Sequence, residues 1–220
     1  MLQSTQYANF RLALFFSSLL CLLVGLFLWH YGKRDSFLII NTHHTAVLDL
    51  LFRYATFLGD GAIYIPLVAY TVFFNRAFFI PVALSIIICL LLTHFLKRVV
   101  FPDQLRPISL EAQGIRLHKI QGVYINRVNS FPSGHTATAF ATALLLASVL
   151  KKKALAVLVL LLALLVGYSR VYLAQHFVTD VLGGMVIGMV TALFSFWLQP
   201  AIIRALPKTV QLKMKTPPMR

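Results

Sequence analysis

Long apolar runs, each broken by only a few charges, set the pattern of this chain. Measured against the ~20 residues a helix needs to cross a hydrocarbon core, they predict spans over 10–31, 61–75, 77–96, 132–150, 154–172 and 177–199. The tract from Gly61 to Leu96 is too long for one span and long enough for two, so its break at Asn75-Arg76 predicts a tight helical hairpin. The run from Leu12 to Trp29 exceeds a secretory h-region, and no small-residue cleavage site follows it, which makes the first span an uncleaved anchor. Between the first two spans, Val47, Leu51, Tyr54 and Leu58 recur at helical spacing, with Asp49 and Arg53 one turn apart, predicting a helix that lies in the interface. A polar, basic segment from Lys97 to Ser130 joins spans three and four. No repeat or Pro/Gly linker marks a second unit, so residues 1–220 are expected to form one membrane-embedded domain. The expected fold is all-α: a polytopic bundle of six transmembrane helices with one interfacial helix between spans one and two.

Composition agrees with that reading and narrows the chemistry. Hydrophobic residues make up 59% of the chain and charged ones 12%, with a mean hydropathy of +0.82, far more apolar than a soluble domain. Cys21 and Cys89 both lie inside apolar runs, which points to no disulfide framework, no thiol metal cluster and no redox chemistry. Half of the basic residues behind the net charge of +14 flank spans as membrane anchors do, so anionic lipid headgroups, and not nucleic acid, are the expected partner. Arg11, Arg76, the Lys151-Lys152-Lys153 cluster and the tail cations Arg204, Lys208, Lys213, Lys215 and Arg220 fall on one side of such a bundle. An equal number of cations falls on the other side. The lysine cluster occupies a very short loop and the basic tail follows the last span, where the positive-inside rule applies, so that side is read as cytoplasmic. All the acidic residues, Asp35, Asp49, Asp60, Asp103, Glu111 and Asp180, fall opposite.

The candidate chemistry sits on that opposite side, at the ends of spans. Span four opens with Pro132-Ser133-Gly134-His135. Proline fits the first helical turn, where its missing N–H costs nothing, and serine supplies a hydroxyl and a backbone donor. A helix start with a glycine that lets a ligand come close is a place for a phosphate oxygen, though a capped helix with an interfacial histidine describes the same tetrapeptide. Span five ends in Ser169-Arg170, and span six begins near His176 with Asp180 four residues on, so on a helix the two share a face. The carboxylate would hold one imidazole nitrogen, fix the tautomer and leave the other nitrogen as nucleophile or base. A structural His–Asp pair pinning the helix end is the plainer reading, but it accounts for neither Arg170 nor a second histidine at the same level. A histidine nucleophile, a histidine acid and cations around a helix N-terminus together make a site for phosphoryl transfer without a metal. Arginine binds phosphate as a bidentate fork and lysine as a point charge.

These segments resemble the signature of the type 2 phosphatidic acid phosphatase superfamily: Lys-x6-Arg-Pro, Pro-Ser-Gly-His and Ser-Arg-x5-His-x3-Asp. The second and third motifs match without a gap, as Pro132 to His135 and as Ser169, Arg170, His176 and Asp180. The first departs: Arg106-Pro107 is present, Val99 stands at the lysine position, and Lys97 and Arg98 lie two and one positions early. The resemblance implies a helical bundle and a phosphohistidine mechanism. His176 would attack phosphorus, Asp180 would orient it and His135 would protonate the leaving oxygen. Lys97, Arg106, Ser133, Gly134 and Arg170 would hold the phosphate oxygens, with Arg98 competing for the role of Lys97. Neither a metal nor any other cofactor is implied.

The same resemblance implies a membrane lipid phosphate as substrate, cleaved at the extracytoplasmic face of a bacterial inner membrane with both termini cytoplasmic. Undecaprenyl pyrophosphate, phosphatidylglycerol phosphate, phosphatidate and lipid A phosphates are the family's substrates. The long basic loop favours a large, multiply anionic headgroup, hence lipid A or undecaprenyl pyrophosphate. A lipid phosphotransferase using the same phosphohistidine and a non-catalytic lipid-binding or transport protein are the competing classes. Haloperoxidases share the pocket but are soluble. Among the remaining features, His43-His44 is read as capping or interfacial, Gly184-x3-Gly188 as a close helix contact, and Trp29, Tyr31 and Tyr172 as an aromatic belt. His94 and Lys119 are read as loop or helix-end residues.

Overall fold

A computed structural model describes residues 4–215, with side-chain environments over 7–212. Arg220 and the side chains of Lys213 and Lys215, three of the cations assigned to the cytoplasmic side, lie outside those described residues. Among the described residues eight α-helices follow one another: α1 (Ser4–Asn41), α2 (Ala46–Ala55), α3 (Tyr64–Phe74), α4 (Phe79–Phe95), α5 (Gly134–Ala147), α6 (Lys153–Tyr172), α7 (Val178–Ala205) and α8 (Lys208–Lys215). No strand occurs among the described residues, so the all-α expectation holds.

The arrangement is built around α5. Its sequence, rich in alanine and threonine, has no wide apolar stripe because it is enclosed on all sides: Ala137, Phe140, Ala141, Leu144, Leu145 and Ala147 are fully buried or nearly so. Helix α7 can lie directly on it because of Gly184 and Gly188. A Cβ at Gly184 would stand 2.6 Å from the Ser133 carbonyl oxygen, and one at Gly188 would stand 2.7 Å from that of Ala137. The expected role of this glycine pair as a close helix contact is therefore what the structure shows. Phe140, Ala143, Ala163, Val166, Val181 and Met185 close the core between α5, α6 and α7. Helix α1, by contrast, turns Phe15, Leu22, Leu23, Leu26 and Trp29 outward, as a lipid-facing helix does.

Helical ends fall close to the predicted ones, with informative differences. Helical geometry in α1 breaks at Gly32 (φ 71°, ψ 178°), one residue past the predicted end. The chain then resumes a helix through Lys33-Arg34-Asp35, because Phe37 is buried edge-to-face against Phe177, 5.5 Å away. The predicted hairpin is present, with Asn75 ending α3 and a short turn Arg76–Phe78 leading into α4. Tyr7–Asn41, Arg76–Val100, Lys153–Tyr172 and Val178–Ala205 are each long and apolar enough to cross a membrane, and Ala46–Gly59 with Gly61–Phe74 make a fifth such path bent by 60°. The fourth expected span is realised as a 14-residue helix, which at a 1.5 Å rise is about 21 Å long, short of the ~30 Å hydrocarbon core.

Helix α2 stands where an amphipathic helix was expected, with the Thr45 hydroxyl accepting from the Leu48 N–H. Its Asp49, expected one turn from Arg53, instead accepts from His118 Nε2 at 2.7 Å and from the Tyr172 hydroxyl. Tyr172 is therefore a buried tether and not part of an aromatic belt, because its ring packs on Phe52 at 4.5 Å while its hydroxyl reaches α2. His44 stacks on His118 with ring centres 3.8 Å apart, and Lys119 pairs with Glu111 at 2.7 Å. Both arrangements fit an interfacial, structural reading of these side chains.

Candidate active site

The alternating direction of α5, α6 and α7 brings the start of α5, the end of α6 and the start of α7 to one end of the bundle. Helix α6 ends by wrapping the chain around one carbonyl, since Gln175 N and His176 N both donate to the Arg170 oxygen, at 3.0 and 3.1 Å. Ala174 takes the left-handed conformation (φ 53°) that this tight turn requires. The turn therefore presents Arg170 and His176 together, and both are buried.

Helix α7 starts at Val178, so His176 lies ahead of the helix and not on its face as the i, i+4 spacing implies. The two side chains still meet, with His176 Nδ1 3.4 Å from Asp180 Oδ2. The same Oδ2 accepts from Phe177 N at 2.9 Å and from the Ser130 hydroxyl at 2.5 Å. Asp180 thus caps its own helix while its charge faces the imidazole. Burial, with Arg106 and Arg170 nearby, pushes the His176 imidazole down to about 3 against the pull of Asp180. A neutral ring whose Nδ1 is held by a carboxylate leaves Nε2 as the nitrogen with a free lone pair.

At the start of α5, Ser133 is the N-cap and Pro132 lies one residue outside the helix, not in its first turn as the sequence suggested. The Ser133 N–H donates to the Asp180 carbonyl at 2.9 Å, which ties the two motifs together through the backbone. Its hydroxyl oxygen accepts from Thr136 N and from the Thr136 hydroxyl, leaving the serine proton to donate elsewhere. A Cβ at Gly134 would meet no atom within 4 Å, so the helix N-terminus opens onto free space. His135 follows, half-buried, with Nε2 3.8 Å from Asp60 Oδ2.

Three cations converge on this end. Lys97 Nζ donates to Asn129 O at 3.0 Å and lies within electrostatic range of Asp180, Arg106 and Arg170. Arg98, its competitor from the sequence, is exposed and outside the cluster. A π-helical turn over Leu96–Val100, closed by Phe101 N on Leu96 O at 2.8 Å, takes up extra residues here. Such turns recur at functional sites, and this one accompanies the irregular spacing before Arg106. Arg106 donates from Nε to Val128 O at 3.1 Å and from Nη1 to both the carbonyl and side-chain oxygens of Gln175, so Nη2 is the end with donors in reserve. Arg170 Nη1 donates to the Thr56 hydroxyl, and its buried Nε has no hydrogen-bond partner among the described residues. An unpaired buried guanidinium N–H is costly unless something anionic occupies the space it faces.

The residues assigned from the sequence to the phosphate site, Arg98 excepted, are at this end of the bundle. The sequence reading missed Thr56, Asp60, Ser130 and Gln175. Ser130 and Gln175 adjoin the motifs, so their position was a usable signal. Thr56 and Asp60 arrive from a segment more than a hundred residues from Arg170, and only the tertiary fold brings them there.

Comparison with known proteins gives this geometry relatives. The sequence profile of the PAP2 superfamily matches residues 78–204. An undecaprenyl-diphosphatase of Sulfolobus acidocaldarius is 32% identical over 70% of this chain and 72% of its own length. The bacitracin transport permease protein BcrC of Bacillus licheniformis is 40% identical over 34% of this chain, an alignment that spans about a third (36%) of BcrC. Among solved structures, Aquifex aeolicus LpxE superposes with a TM-score of 0.66 at 32% identity, covering 75% of this chain and 94% of that one.

Proposed function

With the chain belonging to the PAP2 superfamily as a membrane phosphatase, we propose that it hydrolyses a lipid phosphate through a phosphoryl group carried on His176. His176 Nε2 attacks phosphorus while Asp180 holds Nδ1. His135 gives its proton to the leaving oxygen, and water then releases phosphate from His176. Lys97, Arg170, the Nη2 end of Arg106, the Ser133 hydroxyl and the open helix start at Gly134 hold the phosphate oxygens. The observation that carries this reading is the His176–Asp180 contact at 3.4 Å beside an Arg170 whose buried Nε points to no partner.

For the substrate, we infer a lipid carrying a diphosphate, of which undecaprenyl diphosphate is the first to test. A relative that aligns over 70% of the chain is an undecaprenyl-diphosphatase. The surroundings also leave room for a large headgroup: a groove of about 420 Å³ beside Phe177 is lined by Lys33, Arg34, Gln104 and Gln113, its two cations set against one carboxylate, Asp103. A lipid A phosphate is the alternative that the same basic surface supports. The membrane arrangement we propose has six crossings, with α2 in the interface and the short α3 and α5, of 11 and 14 residues, completing their passage inside the bundle. The termini are then cytoplasmic and the site faces the outside of a bacterial inner membrane.

A transport protein using the same fold for binding alone is the second reading, prompted by the permease name of BcrC. The purified protein should be screened for phosphate release over a panel of lipid mono- and diphosphates, with and without acceptor lipids, beside a His176→Ala control. Release from one or more substrates, lost in the variant, supports hydrolysis. Transfer to an acceptor lipid without free phosphate would make the protein a phosphotransferase, and no turnover of any substrate would favour the transport reading.

A further inference from the structure

The segment between α2 and α3 is pressed onto the catalytic end of the bundle from outside the stretch that matches the family profile. Thr56 accepts a hydrogen bond from Arg170 Nη1. Gly59 lies so close to the start of α5 that a Cβ there would be 2.6 Å from the His135 carbonyl oxygen and 2.5 Å from Val166 Cγ1. Asp60 comes next, and its two carboxylate oxygens do different things. Oδ1 accepts from the Ala62 N–H at 2.9 Å, which fixes the side chain, and Oδ2 faces His135 Nε2 at 3.8 Å. That separation is a charge contact and not a hydrogen bond. The other charged groups facing His135 are Arg170, Lys97 and Arg106, all cations. Among the described residues, Asp60 is thus the one carboxylate set against the ring, as Asp180 is against His176.

We propose that Asp60 is a positioning residue for the acid of the reaction, holding the His135 imidazolium by Nε2 so that its other ring nitrogen donates to the leaving group. This inference rests on the phosphatase reading above. As the His176 nitrogen–phosphorus bond forms, the bond from phosphorus to the leaving oxygen breaks and its electron pair stays on that oxygen. The proton passes from His135 to the same oxygen, and Asp60 stays ionised throughout. Asp60 touches neither phosphorus nor the leaving group. Its charge counters in part the burial and the three cations that disfavour a protonated ring there.

Such a role has a signature in the leaving group. Protonation matters greatly when an alkoxide must depart and little when a nitrophenolate departs, because the latter is stable without its proton. Two substrates of equal chain length separate the cases: dodecyl phosphate and a dodecyl-substituted nitrophenyl phosphate, each assayed with wild-type, Asp60→Asn and Asp60→Glu proteins. Asparagine keeps an oxygen for the Ala62 N–H, so the corner persists. In Asp60→Asn, kcat on dodecyl phosphate should fall about tenfold or more, kcat on the aryl ester should change less than about threefold, and KM should hold for both. Asp60→Glu should recover part of the loss. Equal losses on both substrates would overturn the proposal by placing Asp60 in phosphate binding or in folding, and no loss on either would remove its role altogether. A wild-type protein inactive on every lipid phosphate would overturn the phosphatase reading itself, a result distinguishable from both.

Discussion

Replacing Asp180 by asparagine removes a charge while keeping an oxygen, and the structure sets what this should cost. One carboxylate oxygen accepts from Ser130 Oγ, Phe177 N and His176 Nδ1. An amide with its oxygen in that place can accept from all three, so the α7 start and the bundle should survive. What disappears is the attraction between the carboxylate and the positive charge that the imidazole acquires on bonding to phosphorus. Both side chains are buried, at 3% and 1% exposure and 3.4 Å apart, so water screens them little. At that separation and an effective dielectric near 20, a unit charge pair is worth roughly 4–5 kcal/mol. Relaxation of the neighbours recovers part of it, and kcat should fall by about two to three decades at about 1.4 kcal/mol per decade. KM should change little, because Asp180 does not touch the phosphate. The assay is phosphate release by detergent-purified protein, with Asp180→Ala alongside. The alanine variant also loses the bonds to Ser130 and Phe177 and should melt at a lower temperature than Asp180→Asn. A kcat for Asp180→Asn within about threefold of wild type would refute the electrostatic role.

Other expectations follow from the same geometry. Because burial pushes the His176 imidazole down to about 3, acidification protonates and inactivates it only as the pH nears that value. The acid limb of the kcat/KM profile should therefore lie well below the ordinary histidine value of about 6.5, and a limb centred there would contradict the assignment. Gly188→Leu places a side chain where a Cβ is already 2.7 Å from the Ala137 oxygen and the Phe140 Cβ. It should destabilise the bundle by about 1–3 kcal/mol or more, and an unchanged thermal midpoint would show that α7 can move away. With Lys97, Arg106 and Arg170 supplying positive charge at the proposed phosphate site, EDTA should leave turnover intact, and strong activation by added magnesium would contradict a metal-free reaction.

How far the sequence reached can be followed residue by residue. Because a membrane helix carries its own signal in composition, the apolar runs placed α4, α6 and the start of α7 within two residues, while α7 runs on to Ala205, past the predicted end at 199. The end of α1 at Asn41 escaped notice because Lys33-Arg34-Asp35 read as a polar exit, while the burial of Phe37 against Phe177 depends on packing that composition does not encode. The His176–Asp180 pair was legible from spacing alone, yet for a partly different reason, since the histidine precedes the helix and the aspartate caps it. Tyr172 fitted a local rule, the aromatic belt, and a long-range hydrogen bond to Asp49 overrode it. Lys97 was the weakest match in the sequence, where only the π-helical turn over Leu96–Val100 accompanies its early position. Thr56 and Asp60 left no local mark, and their contacts exist only once the corner between α2 and α3 docks on α5 and α6.

The central claim is that His176 carries the phosphoryl group, and trapping it is the most direct test. Substrate labelled in its terminal phosphate should be mixed with the enzyme, quenched in base within a turnover and digested for mapping. The account predicts an acid-labile, alkali-stable phosphoryl group on the peptide containing His176, absent from the His176→Ala protein. Label on another residue, or steady turnover with no labelled protein at any quench time, would contradict it.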